Sequence, residues 1–208
     1  MTENFANIWL SHFRQFKTRK DVIDLYLQAI IKSYNSIDKS VDDENKIRNR
    51  FYWDLTTRNP LLEKYLEKNL IQINYEKWTM VSEEEERRVD LTFFISSFGS
   101  FEIECKCFFG IQTEKGQYLT NGLIRFIDLK YAKKDEFAGM IGFVVKGNTD
   151  DIFNSNVTNA QNFHPTNPTK SIQNPTNSNW KHSFTSFHER TDKSEITIYH
   201  LLFEFKKK

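Results

Sequence analysis

The stretch FEIECKCFF, residues 101–109, places two acids and a lysine in a segment that otherwise has the composition of a buried strand. Strict alternation along a strand puts the Phe, Ile and Cys side chains on one face and Glu102, Glu104 and Lys106 on the other. A buried carboxylate costs several kcal/mol unless it is paired, hydrogen-bonded or bound to a metal. The stretch therefore predicts a strand with either a functional charged face or a solvated face that carries cross-strand ion pairs.

The segments around this stretch predict a mixed sheet with a helical crossover. LIQINYEKW at 70–78 alternates, RVDLTFFIS at 88–96 is apolar and aromatic, and a Gly-containing turn leads into 101–109, so a three-stranded meander is expected. Helical spacing follows over 118–131, before an apolar strand at 138–145. A strand, a helix and a strand in this order predict a parallel crossover packed against the sheet.

The two ends of the chain are expected to differ from this core. Apolar residues recur at helical spacing in three early segments, 20–37, 45–57 and 60–69. Residues 1–69 are therefore predicted to be mainly helical. The polar composition of 146–193 predicts a long loop after a short helix at 149–155. The alternation in 194–208 predicts a final strand, followed by a Lys-rich tail. We expect one α/β domain over 1–208, with a mixed central sheet flanked by helices.

The composition excludes several classes of protein. Aromatic residues make up 15% of the 208 residues, which is typical of a packed domain and not of a chain disordered throughout. The net charge is +1, so no global basic field indicates a polyanion partner. No window approaches about 18 uninterrupted apolar residues, and no signal-peptide pattern is present, so we expect a cytoplasmic protein without membrane contact.

Cysteine and histidine positions indicate neither a disulfide nor a zinc site. Cys105 and Cys107, the two cysteines, point to one face of the same predicted strand, so reduced thiols are expected. The five histidines have no ligand spacing such as HxxxH. His182 and His188 follow the predicted polar loop with Arg190, and we interpret all three as exposed loop residues.

A possible metal site emerges from two neighbouring predicted strands. Asp90 in RRVDLTFF precedes Glu104 by one hairpin, so the two strands can place these carboxylates side by side. Carboxylate oxygens suit Mg²⁺, and Lys106 projects from the same face as Glu104. Asp90 followed by the ECK tripeptide resembles the PD-(D/E)xK motif of the restriction-endonuclease-like nuclease superfamily. The order of elements over about residues 40–145 also resembles that superfamily, including uncharacterised bacterial members.

This resemblance implies a restriction-endonuclease-like core over 70–145 that requires Mg²⁺ (or Mn²⁺). Asp90, Glu104 and the carbonyl of Cys105 would hold the metal. Lys106 would assist the attacking water.

Three further positions bear on the resemblance. Glu44, in DDENKIRNRFYWDL, is the best match to a glutamate that many members carry on the helix before the sheet. Glu102 gives EIECK a second acid in register, so the metal ligand could be Glu102, Glu104 or both. Val89 stands where the name of the motif has proline.

The predicted helix after the motif adds candidates for substrate binding. Tyr118, Asn121 and Arg125 fall at i, i+3 and i+7, and we expect this polar stripe to face the site. A guanidinium matches phosphate geometry, so Arg125 could bind a scissile or neighbouring phosphate. An ordinary surface arginine or an ion pair is the alternative for Arg125.

The resemblance implies a nuclease that hydrolyses phosphodiester bonds in DNA, with restriction or phage defence as its commonest setting. Two alternatives stay open: a noncatalytic nucleic-acid-binding or protein-binding module on the same fold, and an interaction segment formed by the Asn-rich residues 155–179. The near-neutral charge argues against tight nonspecific binding of DNA by one chain, so a homodimer or a partner protein that delivers DNA is expected.

Overall fold

The computed structural model describes residues 16–80, 86–110, 115–163, 169–173 and 179–205, which form an α/β protein. The helices are α1 (Arg19–Ser36), α2 (Glu44–Thr57), α3 (Glu63–Leu66), α4 (Lys115–Tyr118), α5 (Ile124–Ile127) and α6 (Thr149–Gln161), with a π-helical turn (Leu119–Leu123) joining α4 to α5. The strands are β1 (Gln72–Met80), β2 (Glu86–Ile95), β3 (Gly99–Phe108), β4 (Phe137–Val144), β5 (Thr169–Gln173), β6 (Ser183–Glu189) and β7 (Glu195–Glu204). None of the described helices is long and apolar enough to cross a membrane.

The strands form one seven-stranded mixed sheet in the order β1-β2-β3-β4-β7-β6-β5. The predicted meander is confirmed, because β1, β2 and β3 pair antiparallel in sequence order. The predicted crossover is also confirmed: β4 pairs parallel with β3 after the helical segment formed by α4, the π-helical turn and α5. The final strand, β7, pairs with the sheet as expected and lies inside it, between β4 and β6. The Lys-rich tail at 206–208 lies outside the described residues.

Two apolar clusters, one on each side of the sheet, make up the core. On one side the N-terminal helices α1 and α2 pack on the strands, where the ring of Tyr26 stacks on Phe93 at a centroid distance of 4.5 Å. On the other side the α4–α5 segment and α6 bury Phe126 and Ile152. Both cysteines carry buried, reduced thiols, as predicted. The helical N-terminal region and the α/β class are therefore confirmed over the described residues.

Side-chain caps fix where the first two helices begin. Thr18 and Asp21 form a reciprocal capping box at the start of α1. The carboxylate of Asp43 accepts from the backbone N–H of Lys46 at 2.9 Å at the start of α2. Glu44 therefore occupies the first turn of α2, where a helix N-terminus favours negative charge.

The prediction of a long loop over 146–193 was wrong. The helix there extends over Thr149–Gln161 instead of 149–155, and two strands, β5 and β6, follow it. Strand β6 gave little apolar signal because Ser183, Thr185 and Ser186 are among its buried side chains. Small hydroxyl side chains can be buried when they are hydrogen-bonded, so hydrophobic periodicity does not reveal such a strand.

The interpretation of His188 as an exposed loop residue was also wrong. His188 and His200 are fully buried on β6 and β7, at the centre of a chain of hydrogen bonds. His200 Nδ1 lies 3.0 Å from the hydroxyl of Tyr118, and its Nε2 lies 2.8 Å from Ser186 Oγ. His188 Nε2 contacts the same hydroxyl at 2.7 Å, and its Nδ1 lies 3.2 Å from Thr169 Oγ1.

One arrangement of protons satisfies the whole chain. Thr169 donates its hydroxyl proton to the carbonyl of Ala160 at 2.5 Å, so it accepts from His188 Nδ1–H. Ser186 then donates to His188 Nε2 and accepts from His200 Nε2–H, which leaves His200 Nδ1 to accept from the tyrosine. Both imidazoles are neutral in this arrangement, and burial lowers the pKa of His200 well below its ordinary value.

Arg190 is likewise buried, with only 2% of its surface exposed, which contradicts its interpretation as an exposed loop residue. Its guanidinium donates to the carbonyls of Ala132 at 3.0 Å and of Asp135. Arg190 therefore ties the end of β6 to the turn before β4.

Candidate functional site

The candidate site forms where β2 and β3 stop pairing. Their ladder runs over residues 91–95 and 99–103 and ends at the pair of Leu91 and Ile103. Asp90 and Glu104 are the next residues on the two strands, at the mouth of this split. The two carboxylates therefore line one cavity at the point where the strands separate.

Beyond the split, two backbone N–H groups of β3 donate to carboxylates instead of to β2. The N–H of Cys105 donates to Asp90 Oδ2 at 2.7 Å, and the N–H of Cys107 donates to Glu44 Oε2 at 2.8 Å. Buried backbone donors need partners, so these contacts stabilise the open edge of β3. They also hold the first turn of α2 against the strand.

A cavity of about 510 Å³ opens at this split. It is lined by Glu44, Asn45, Arg48, Arg88, Asp90, Glu104, Lys106, Arg125, Lys130 and Tyr131. The structure thus brings together five residues that the sequence singled out, namely Glu44, Asp90, Glu104, Lys106 and Arg125. Five cationic side chains face three carboxylates in this lining, which gives the cavity a local positive balance that the net charge of the chain conceals.

Glu104 is the most buried charge of the cavity, with 1% of its surface exposed. Its Oε1 accepts from Lys106 Nζ at 2.6 Å and from Arg125 Nη1 at 2.9 Å. Its Oε2 is buried and has no hydrogen-bond partner within the described residues. Burial raises the pKa of Glu104, although Lys106 and Arg125 oppose that shift.

Asp90 is held from α2 by a buried arginine. Arg48, with 2% of its surface exposed, forms an ion pair with Asp90 Oδ1 and also contacts Asn45. Glu76 Oε1 lies 3.3 Å from the same guanidinium. Glu76, which has no partner in the register of β1 and β2, has a φ of 50°, a left-handed backbone conformation that is costly for a glutamate. Strained backbone therefore adjoins the candidate site.

The donor set is suited to a hard divalent cation, although Asp90 is paired with Arg48 and the Cys105 carbonyl accepts from Lys106. Asp90, Glu104 and the Cys105 carbonyl offer oxygen atoms, and Mg²⁺ is usually held by one or two carboxylates with waters and substrate phosphates. The unpartnered Glu104 Oε2 supplies one such oxygen. Asp90 Oδ1 becomes a ligand only if Arg48 shares it or moves away. No group of three or more His, Cys, Asp or Glu side chains in the described ranges is arranged to hold a metal ion.

Comparison of the chain with protein-family models, with curated proteins and with solved structures finds no match in any of the three.

Four sequence candidates are not among the residues that line the cavity: Glu102, Cys105, Tyr118 and Asn121. Glu102 accepts from the backbone N–H of Ala132 at 2.7 Å, and burial raises its pKa. Tyr118 is buried against His200, and Asn121 is exposed. The spacing of Tyr118, Asn121 and Arg125 places them on one face only in a regular α-helix. The π-helical turn contains more residues per turn, so it changes the direction in which these side chains point. Of the stripe, only Arg125 lines the cavity.

Sequence reasoning missed five residues of the lining: Asn45, Arg48, Arg88, Lys130 and Tyr131. A usable signal existed for Arg48, because it follows Glu44 by four residues and so shares a helix face with it. Tyr131 accepts from Arg125 at 2.7 Å and donates to the Arg88 carbonyl at 2.8 Å. The contact between Tyr131 and Arg88 joins residues 43 apart in sequence, so no local pattern predicts it.

Proposed function

We propose that the chain is a metal-dependent nuclease that hydrolyses phosphodiester bonds, with the β2–β3 cavity as its active site and a restriction-endonuclease-like core. The observation that carries the proposal is the convergence of Glu44, Asp90, Glu104 and Lys106 on one cavity that also has extra cationic side chains. Polyanionic substrates suit such a lining, because arginine and lysine bind phosphate oxygens strongly.

Asp90, Glu104 and the Cys105 carbonyl are the proposed holders of Mg²⁺ or Mn²⁺. When bound, such an ion lowers the pKa of water and polarises phosphate oxygens. Glu44 lines the same cavity and is a proposed additional ligand or base.

The ammonium group of Lys106 is the proposed group that positions water. It has three N–H donors, of which Glu104 Oε1 at 2.6 Å and the Cys105 carbonyl at 2.9 Å use two. The third donor is left for a water molecule or a phosphate oxygen in the cavity. Attack by that water forms a bond to phosphorus, breaks the bond to the leaving ester oxygen and transfers a proton to the leaving group.

Arg125, which lines the same cavity, is the proposed phosphate ligand. Its side chain is 37% exposed, so donors remain available beside those used by Glu104 and Tyr131. We infer DNA as the substrate, a role in restriction or phage defence, and a homodimer or partner protein, all from the family resemblance and the near-neutral charge. These inferences do not depend on the cavity.

The second candidate function is a noncatalytic module that binds nucleic acid or protein on the same fold. The ion pair between Arg48 and Asp90 favours it, because a guanidinium already neutralises the carboxylate that a metal would need.

Cleavage assays separate the two candidates. Supercoiled plasmid, linear duplex, single-stranded DNA and RNA are incubated with wild-type protein in Mg²⁺, Mn²⁺ or EDTA, beside Lys106→Ala and Glu104→Gln. Lys134→Ala is a matched control, because Lys134 is exposed and outside the cavity lining. Metal-dependent cleavage that is lost in both cavity variants and kept in the control supports the nuclease. If the wild type cleaves none of the substrates but still binds nucleic acid, the result supports the noncatalytic module.

A further inference from the structure

An exposed tryptophan stands beside the candidate site. Trp78 leaves 62% of its surface exposed, although large aromatic side chains are usually mostly buried. It is paired across β1 and β2 with Arg88, whose guanidinium carbon lies 5.6 Å from the centroid of the Trp78 ring. The Arg88 guanidinium therefore lies over the ring, and a large part of the surface of Trp78 faces solvent.

Arg88 links this ring to the cavity. The arginine lines the cavity, and its Nη1 lies 3.3 Å from Glu76 Oε2, a contact that limits where the guanidinium can point. Asp90 follows two residues later on β2, which is about 7 Å along a strand. A nucleotide can bridge such a separation between its phosphate and its base.

The cavity also has cations that the carboxylates of the site do not neutralise. Lys130 lines it, is exposed, and forms no ion pair within the described part of the chain. Arg88 is 45% exposed and has guanidinium donors to spare. Of these two cations, Arg88 both lines the cavity and lies over the ring, so it can neutralise a phosphate group beside Trp78.

We propose that Trp78 is a stacking surface for an unpaired base of the nucleic acid whose phosphate the cavity binds. The proposal rests on the nuclease function and adds a substrate class, namely single-stranded or locally opened nucleic acid. Inside a duplex each base is covered on both faces by its neighbours, so only an unstacked base can lie on the ring. Stacking is tolerant of sequence, because every base has a π-face.

The test measures binding without cleavage. The Kd of a single-stranded homothymidine oligonucleotide is measured in EDTA with Lys106→Ala protein and with the same protein carrying Trp78→Ala, Trp78→Phe or Trp53→Ala. Trp53 is the matched control, since 57% of its surface is exposed and it lines a different surface cavity on α2. An abasic oligonucleotide of equal length and a closed circular duplex serve as comparison ligands.

Trp78→Ala is expected to weaken binding of the single strand about 5- to 100-fold, which corresponds to the loss of one base stack. Trp78→Phe should recover part of that loss, and Trp53→Ala should change Kd less than about twofold. The effect of Trp78→Ala should vanish on the abasic strand and on the closed duplex.

Three results would each overturn the stacking proposal. They are an equal loss of affinity in Trp78→Ala and Trp53→Ala, a loss of affinity that persists on the abasic strand, and no binding of single strands at all. The cleavage assays report on the nuclease separately. Metal-dependent cleavage of single-stranded DNA by Trp78→Ala protein at the wild-type rate, with substrate below its Kd, would keep the nuclease and reject the stacking surface. Stacking-dependent binding without any cleavage would keep the surface and reject the nuclease.

Discussion

The guanidinium of Arg48 and the carboxylate of Asp90 form a buried ion pair between α2 and β2. The second oxygen of that carboxylate accepts from the N–H of Cys105 on β3. One carboxylate thus connects a helix and two strands at the point where the strands separate. Removing one partner of a buried ion pair leaves an uncompensated charge, so this contact has consequences both for stability and for metal binding.

Arg48→Met is expected to destabilise the protein by about 3–5 kcal/mol, because Asp90 would be left charged and buried without its partner. The double variant Arg48→Met with Asp90→Asn should be less destabilised than the sum of the two single variants. Urea unfolding of all four proteins checks this coupling. Additive losses would mean that the two side chains do not stabilise each other.

Glu104→Gln is expected to raise stability in the absence of added metal by about 1 kcal/mol, or about 2–4 °C in Tm. The reason is that burial outweighs Lys106 and Arg125 and raises the pKa of Glu104, so the charged form is unfavourable in the fold, and both cations are partly exposed to solvent. Mn²⁺ should raise the Tm of the wild type and leave that of Glu104→Gln unchanged. Differential scanning calorimetry with Glu63→Gln, an exposed site, provides the control. An equal rise in Tm with Mn²⁺ in the wild type and in Glu104→Gln would exclude Glu104 as a ligand.

Mild acid is expected to destabilise the fold through His200. The pKa of His200 lies well below its ordinary value in the folded protein, so below about pH 6.5 the unfolded state binds more protons. The contribution of His200 is therefore complete above about pH 6.5 and decreases as the pH falls toward the folded pKa, by at most about 1.4 kcal/mol per pH unit.

Denaturant unfolding between pH 7 and 5 measures this slope. His200→Gln should flatten it, and Lys134→Gln, at an exposed site in the turn before β4, should leave it unchanged. A slope that survives His200→Gln would assign the acid sensitivity to other groups.

Tyr131→Phe is expected to reduce cleavage about tenfold while costing about 1 kcal/mol of stability. Its hydroxyl joins Arg125 to the Arg88 carbonyl, so its loss should free Arg125 to leave Glu104. Steady-state kinetics measures the rate of cleavage, and urea unfolding measures the stability. Tyr52→Phe on α2 is the control. Unchanged cleavage in Tyr131→Phe would mean that Arg125 needs no such support.

Local patterns were sufficient for much of the fold. Alternation over residues 101–109 and the apolar runs beside it predicted the β1–β2–β3 meander and the parallel partner β4, because side-chain direction along a strand depends on local geometry alone. The region after residue 146 could not be predicted in this way. Its strands bury Ser186 and His188, which are satisfied by hydrogen bonds to each other and not by apolar packing.

The sequence by itself determined the acid and lysine positions on β2 and β3, since a hairpin and a period of two place Asp90, Glu104 and Lys106 near one another. Only the tertiary structure decided how these charges are paired. The strands had to separate beyond Leu91, α2 had to bring Arg48 to Asp90, and the π-helical turn had to direct Arg125 rather than Asn121 toward Glu104. Such pairings depend on where distant elements meet, and a buried charge takes whichever counter-ion the packing brings within reach.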